Sequence, residues 1–279
     1  MHRFRRVVVS LTAAAFCSAL LLGVGPAGAV IGGTPDVGNT YSNVGQLEGQ
    51  FAPGQWFGFC SGTLIRPNVV LTAAHCTDFL QEVGEDGLGP NDLRLVFAPA
   101  PDASSTRYAV DHIIVHPDWF STIGRGKGNS KRLFLAPPAE DIALVFLKTS
   151  VSGVTPAPVA GAGYLDSLQL TRETFTVVGY GTDAFVTGSA ISAKPIVVDD
   201  GTRAYRNVTA ITEHDAFPDR FVKVTQSLCF GDSGGALFHG RTLVGINTWT
   251  FSVRCAGPNF DYRVDSAVAQ EFLHTYLQP

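Results

Sequence analysis

The chain has 279 residues, 45% of them hydrophobic and 16% charged, with 30 Gly, 16 Pro and 5 Cys. So much apolar side chain excludes general disorder and suffices for a sizeable core in one large or two modest domains. A net charge of −4 argues against a dedicated nucleic-acid binder.

Met1 to Arg6 carry Arg3, Arg5 and Arg6, an apolar stretch runs from Val7 to about Val24, and Ala27-Gly28-Ala29 supplies a small-x-small cleavage site. Together they read as a secretory signal peptide over residues 1–29, with ordinary secretion preferred over twin-arginine export. No later apolar run approaches the roughly 20 residues needed to span a bilayer. The mature chain is therefore expected to be secreted and extracellular, off the membrane once the leader is gone, and monomeric. Loss of three Arg and no acid takes the net charge from −4 to −7. An acidic surface favours solubility and names no partner.

Cys17 leaves with the leader, and Cys60, Cys76, Cys229 and Cys255 remain. Four cysteines in an oxidising compartment allow three pairings, of which Cys60 with Cys76 and Cys229 with Cys255 require the least long-range agreement. No CxxC or CxxH spacing marks a zinc site, and no metal or cofactor is expected.

Short β-rich runs punctuated by Gly, Pro, Asn and Asp follow: Ser61-Gly-Thr-Leu-Ile65, Val69-Val-Leu-Thr72, Leu93-Arg-Leu-Val-Phe97, Ile142-Ala-Leu-Val-Phe-Leu147, Phe175-Thr-Val-Val178 and Thr242-Leu-Val-Gly-Ile246. They predict an all-β, mainly antiparallel protein. His112 and His116, four apart in an alternating run, would share one face of a strand, but no third metal ligand is evident. Thr149 to Gly163, with Pro156, Pro158 and three Gly, reads as a linker. Two β domains of similar size are implied, over residues 30–150 and 151–279. One stretch reads as a helix, Asp265 to Leu277, with Val268, Phe272, Leu273, Tyr276 and Leu277 at helical spacing and Asp265 as N-cap.

The chemistry sits in Cys229-Phe-Gly-Asp-Ser-Gly-Gly235. Flanking glycines let the backbone turn sharply, hold the Ser233 hydroxyl outward and aim the amides of Gly231 and Ser233 at one point, where an oxyanion could sit. A free hydroxyl is a poor nucleophile and requires a base. His75, in Leu71-Thr-Ala-Ala-His-Cys76, has small neighbours that leave room for an imidazole. His214, His239 and His274 stand in polar or amphipathic contexts that suit surface histidines. The imidazole in turn needs a carboxylate to fix its tautomer. Asp141 opens an otherwise apolar strand, where a buried acid must be paired; Asp111, Asp118 and Asp232 are its competitors.

The blocks Val30-Ile-Gly-Gly33, Thr72-Ala-Ala-His-Cys76, Asp141-Ile-Ala-Leu144, Gly231-Asp-Ser-Gly-Gly235 and Val244-Gly-Ile-Asn-Thr-Trp249 resemble, in order and rough spacing, the trypsin/chymotrypsin family of serine endopeptidases. The resemblance spans essentially the whole mature chain. It implies two antiparallel six-stranded β-barrels packed together with a C-terminal α-helix, a triad of His75, Asp141 and Ser233 in the cleft, and the disulfides Cys60–Cys76 and Cys229–Cys255. It also implies protein or peptide substrates, and a new N-terminus at Val30 that folds inward to pair with Asp232. Because Ala29 abuts Val30, signal peptidase itself would release that N-terminus; the alternative is cleavage after Ala27, leaving Gly28-Ala29 for a second enzyme to trim.

Two rival readings are a secreted esterase built on a Gly-x-Ser-x-Gly elbow and a catalytically silent binding protein on a protease-like scaffold. The esterase order places Asp and His after Ser, where few residues remain. The silent scaffold is betrayed by a replaced triad member, and none is replaced. For specificity, the family position that holds an Asp in trypsin-like members is Ser227, which argues against cleavage after Lys or Arg. Thr248, Trp249, Thr250 and Asn259 fall on the pocket walls, where side chains in place of glycine at Thr250 and Asn259 would narrow it toward small or medium uncharged residues. Ser227, Asn247 and Thr250 would equally suit an acidic side chain. Arg125 to Arg132 and Glu82 to Asp92 read as solvated loops; the latter lacks an ordered calcium-ligand pattern. Asn207-Val-Thr209 is a glycosylation sequon.

Overall fold

The computed structural model describes residues 29–78, 89–119, 140–182, 201–211, 219–250 and 255–278. The leader up to residue 28, the basic stretch 125–132, residues 82–88 of the acidic stretch and His214 lie outside the described residues.

β2 (Val44–Ala52), β3 (Gln55–Arg66), β4 (Val69–Thr72), β5 (Leu93–Val96), β6 (Arg107–Val115) and β7 (Ala143–Leu147) form a closed barrel in the order β2-β3-β4-β7-β6-β5. Its walls are the apolar runs of the sequence. β4 is buried at every position and β7 at all but Phe146, because each is paired on both edges and covered on both faces.

The second unit contains β8 (Thr174–Gly179), β9 (Ala204–Thr209), β10 (Phe221–Val224), β11 (Ala236–His239), β12 (Thr242–Thr250) and β13 (Asn259–Arg263). These run β9-β8-β11-β12-β13-β10, and β1 (Thr34–Pro35) adds a seventh strand outside β9. The free edges of β9 and β10 meet at a single bridge between Ala210 and Val224. There the Ile211 N–H donates to the Lys223 carbonyl at 2.9 Å and the Thr225 N–H to the Thr209 carbonyl at 3.0 Å. The double-barrel expectation holds as a closed six-stranded barrel packed with a seven-stranded half-barrel sheet, whose β9 and β10 approach at this bridge. Between the barrels the Pro- and Gly-rich stretch is bonded to both, through Ala157 N–H to the Leu64 carbonyl and Ala160 N–H to the Leu243 carbonyl.

Two details depart from the sequence reading. A five-residue helix, α1 (Ala74–Asp78), follows β4; it is too short to leave a periodic signature. The C-terminal helix, α2 (Ala267–Tyr276), is capped by Ser266, whose Oγ accepts the Ala269 N–H at 3.2 Å, and not by Asp265. Asp265 is held elsewhere: its carboxylate accepts the Leu165 N–H at 2.7 Å and pairs with the Arg263 guanidinium at 2.9 Å. α2 packs back onto the first barrel, with Phe272 5.1 Å from the buried ring of His116. His112 is exposed and stacks on Phe146 at 4.3 Å. A register shift between Val110 and His112, together with the end of β6 before His116, breaks the expected alignment of the two histidines.

The barrels are joined by a buried cation. Arg203 has no exposed surface; its Nε lies 2.9 Å from Asp36, and it donates to the carbonyls of Val44 and Phe97 and to the Tyr180 hydroxyl. Tyr180 passes the link on to the Ala98 carbonyl at 2.7 Å. Substituting Arg203 by Met strands the Asp36 carboxylate, so urea denaturation should show a loss of about 3–5 kcal/mol. Adding Asp36→Asn to that variant should restore part of it; no loss in the single variant would show that the ion pair contributes nothing.

Candidate active site

β4 delivers the chain through Ala73 and Ala74, both fully buried, into the first turn of α1, where His75 stands with 28% of its side chain exposed. Asp141 lies across from it, two residues before β7, with no exposed surface. One carboxylate oxygen accepts the His75 backbone N–H at 2.9 Å and the other faces His75 Nδ1 at 2.7 Å. That double contact fixes both the backbone and the ring of the histidine. Burial alone would lower the imidazole pKa, but the charge of Asp141 and its hydrogen bond together outweigh it, and the net shift is upward. Glu140, at φ +55°, turns its own carboxylate away, to the Tyr262 hydroxyl at 2.5 Å and Arg220 at 3.7 Å.

Ser233 rides on a loop held from three sides. Its carbonyl accepts the Ser61 N–H at 2.7 Å and lies 3.5 Å from Sγ of Cys76, the neighbour of His75. The Ser61 hydroxyl donates to the Gly231 carbonyl at 2.8 Å and accepts the Tyr180 N–H at 3.0 Å. The Gly234 N–H donates to the Asn247 carbonyl at 2.7 Å. Gly234 has φ +79°, and a Cβ there would sit 2.1 Å from Thr72 Oγ1 and 2.3 Å from the Ser61 carbonyl, so only glycine lets the loop lie this close to β3 and β4. Neither the Gly231 nor the Ser233 N–H donates to an acceptor among the described residues. The disulfides Cys60–Cys76 and Cys229–Cys255 pin the turn that carries His75 and the loop that carries Ser233 to their barrels.

Between Gly231 and Ser233, the Asp232 side chain points into the protein with no exposed surface. Its two oxygens accept N–H groups from Gly181 at 2.8 Å and Cys229 at 3.0 Å, and the Val30 N–H also donates to it. Burial raises its pKa to about 7 against the pull of these three bonds. Val30 is fully buried and takes φ +65°, a strained conformation for a β-branched residue. Ile31 anchors the segment by donating to the Ser227 carbonyl at 2.8 Å. Asp111 and Asp118, the other competitors of Asp141, lie in or beside β6: the first pairs with His112, and the second donates its N–H to His116 Nδ1.

A family model described as Trypsin matches residues 31–272. The chain belongs to the trypsin family. It is 38% identical over 96 residues to chymotrypsin-like elastase family member 1 of Felis catus, covering 33% of this chain and 32% of that protein. It is 31% identical over 185 residues to chymotrypsin-C of Bos taurus, covering 65% and 62%. To a trypsin of Saccharopolyspora erythraea it is 28% identical over 208 residues, covering 72% and 78%. The matched region thus spans about a third of the length of the elastase relatives. Among solved structures, human heparin binding protein superposes with a TM-score of 0.62 at 17% identity, covering 88% of this chain and 96% of that one. Vibrio cholerae VesB protease gives 0.61 at 19%, covering 88% and 68%. At such identities these two bear on the double-barrel fold alone.

In this trypsin-family chain the predicted pocket residues gather on β12, β13 and the segment before Cys229. Ser227 is fully buried, and both its N–H, at 2.5 Å, and its hydroxyl, at 3.2 Å, donate to Asn259 Oδ1. Trp249 packs on Phe260 at 5.0 Å. The Thr248 hydroxyl turns back to the Ile246 carbonyl at 2.8 Å, and Thr250 is half-buried opposite Asn259. Sequence reasoning missed Ser61, whose hydroxyl joins the nucleophile loop to Tyr180, and Asp261, a lone acid in Asn259-Phe-Asp-Tyr-Arg263 that could have been noticed there. It named Asn247 for its side chain alone, whereas the structure also makes its backbone the dock for Gly234 and Gly235.

The Asp232 shift has a consequence for the uncleaved chain, in which Val30 offers only an amide. A carboxyl raised from 3.8 to about 7 binds its proton more tightly folded than unfolded, so its contribution is complete below about pH 4 and lost as pH rises to about 7. Stability of the uncleaved chain should fall across that window by roughly 1.4 kcal/mol per pH unit. Urea unfolding of wild type and Asp232→Asn at pH 4 to 8 checks this; identical slopes for both would exclude Asp232 as the cause.

Proposed function

We propose that the chain is a secreted serine endopeptidase that cleaves protein or peptide substrates through an acyl-enzyme. The observation that carries this reading is the pairing of His75 Nδ1 with buried Asp141 at 2.7 Å, beside a Ser233 loop whose Gly231 and Ser233 amides donate to no acceptor among the described residues. Asp141 keeps the proton on Nδ1, so Nε2 is free to take the proton of the Ser233 hydroxyl as Oγ attacks the substrate carbonyl. The two amides receive the oxyanion. His75 then protonates the leaving amine, and a water repeats the sequence on the ester. The secretory leader and the two disulfides support export to an oxidising compartment.

In this reading, cleavage between Ala29 and Val30 completes the site. The new ammonium would form beside Asp232, where the Val30 N–H already stands, and would convert a buried acid without a cation into an ion pair. Cleavage also relieves the positive φ at Val30, a torsion that exists only while Ala29 is attached. The case against cleavage after Lys or Arg rests on the neutral side chain of Ser227 and on Thr250 and Asn259, whose side chains would narrow the pocket.

Ser233→Ala and His75→Ala should each lower kcat by about 10⁶, and Asp141→Asn by about 10⁴ through the wrong tautomer. A fluorophosphonate should label wild type and not Ser233→Ala; absence of labelling in the chain beginning at Val30 would favour a silent binding scaffold. The acid limb of kcat/KM should lie above pH 6.5, the ordinary histidine value, because His75 is shifted upward. A protein with one extra residue before Val30 should fold and remain nearly inactive. Full activity in that form, read with peptide substrates after N-terminal sequencing, would remove the Val30–Asp232 pair from the mechanism.

A further inference from the structure

One face of β12 and β13 behind Ser233 carries polar groups that the mechanism above leaves unused. Asn247 stands opposite Asp261 in the β12–β13 ladder, and Thr250 stands opposite Asn259. Three positions separate Asn247 from Thr250, which would put them on opposite faces of a regular strand. The register shift between Asn247 and Trp249 adds the extra residue that returns both to one face. On the other side of β13, Val222 lies opposite Asp261 and Val224 opposite Asn259, so β10 gives that face only apolar groups. Gly245 lies close against this face, since a Cβ there would approach both the Asp261 Cβ and the Leu237 side chain to 3.3 Å.

This face is tied directly to the nucleophile loop. Asn247 Nδ2 donates to the carbonyls of Val178 at 3.0 Å and Asp232 at 3.2 Å. Asn259 Oδ1 accepts the N–H groups of Ser227 at 2.5 Å and Leu228 at 3.0 Å. These bonds fix which way each amide points. Asn247 Oδ1, Thr250 Oγ1, Asn259 Nδ2 and both carboxylate oxygens of Asp261 are then buried without a hydrogen-bond partner among the described residues. Acceptors predominate in that set. The carboxylate alone offers about four lone-pair positions, and the committed donor is the single Asn259 amide. Burial pushes the Asp261 pKa well above the usual carboxylate range, as it must where no positive charge compensates the anion.

We propose that Asp261 determines specificity in this site by receiving the cationic side chain of a Lys or Arg residue that precedes the scissile bond. This assignment rests on the peptidase reading of Ser233. An ammonium brings three N–H donors and a guanidinium five, enough to engage the carboxylate together with Asn247 Oδ1 and Thr250 Oγ1. Ser227 cannot supply the charge. It gives its hydroxyl hydrogen to Asn259 instead, and so holds the wall on which Asp261 stands. An acidic side chain would meet Asp261 as a like charge, which removes the acidic preference left open by Ser227, Asn247 and Thr250. The acid stands on β13 and not at position 227, so a neutral Ser227 does not exclude a cationic substrate side chain.

The test uses the protein beginning at Val30 and peptides that differ only in the residue before the scissile bond. Peptides with Lys or Arg should exceed their Ala and Glu counterparts in kcat/KM by about 100-fold, and Asp261→Asn should collapse the Lys-to-Ala ratio by a similar factor. Asp261→Asn removes a buried charge at nearly constant volume, so its thermal midpoint should be equal to or above wild type, which separates lost recognition from lost folding. Benzamidine, an aryl amidinium, should bind the Ser233→Ala protein in calorimetry, with binding lost on adding Asp261→Asn. Equal rates on Lys and Ala peptides by a protein that a fluorophosphonate labels would overturn the role of Asp261 and leave the nucleophile standing. Asp261-dependent benzamidine binding by a protein that resists labelling would overturn the nucleophile and leave the cation pocket standing. Full retention of the Lys preference in Asp261→Asn would also overturn the assignment.

Discussion

The Asp232 carboxylate is buried in backbone, with N–H groups of Gly181, Cys229 and Val30 arranged around it. A Cβ on Gly179 would come within 2.3 Å of this carboxylate and one on Gly181 within 2.4 Å, so the end of β8 is shaped to admit the acid and nothing more. The side chain of Asp232 points into the protein, and its bonds to the Gly181 and Cys229 N–H groups tie down the turn on which Ser233 follows. A charge buried this deeply needs a counter-charge, and Val30 is the residue whose nitrogen already touches it.

The candidate site follows from how the barrels are joined. His75 and Asp141 come from the first barrel, from the turn after β4 and the residues just before β7, and Ser233 comes from the loop before β11 in the second. Ser61 of β3 spans the gap, with its N–H on the Ser233 carbonyl and its hydroxyl between Gly231 and Tyr180. Tyr180 continues from there into the buried Arg203–Asp36 pair. A single chain of hydrogen bonds thus runs from the nucleophile loop to the ion pair that holds the barrels together. In the proposed mechanism, placement of Ser233 against His75 across the two barrels depends on this kind of rigid bridge.

Much of this was legible in the sequence. Strands β4, β7 and β8 are apolar runs of a length that suits a buried strand, and Gly231 to Gly235 is dense enough in glycine to demand a special turn. α1 was not legible, because five residues carry no helical period. The Asp265 cap was misread because local capping rules cannot foresee Arg263 and Leu165 competing for the same carboxylate. Asp261 was passed over for a similar reason. In one dimension it is an acid between two aromatics, and only the ladder shows that its neighbours across the sheet are Asn247 and Val222.

The pocket face departs from the pattern of the rest of the core. Elsewhere most buried polar groups are satisfied within the protein, as the clustered bonds of Arg203 and Asp265 illustrate, with Asn43 Oδ1 and Thr63 Oγ1 as isolated exceptions among the described residues. On the face behind Ser233, five buried polar atoms on Asn247, Thr250, Asn259 and Asp261 have no hydrogen-bond partner among the described residues, and the valines of β10 offer them none. Each such atom costs on the order of 1–3 kcal/mol in the folded state. A fold that only needed to be stable would fill these positions with apolar side chains, as it does at Val222 and Val224. The β12 irregularity sharpens the point, because without the extra residue Thr250 would face away from Asn259. An unmet set of acceptors, brought together by a bulge and aimed from behind the nucleophile, is a cost that binding can recover, and the group that recovers most of it carries both donors and positive charge.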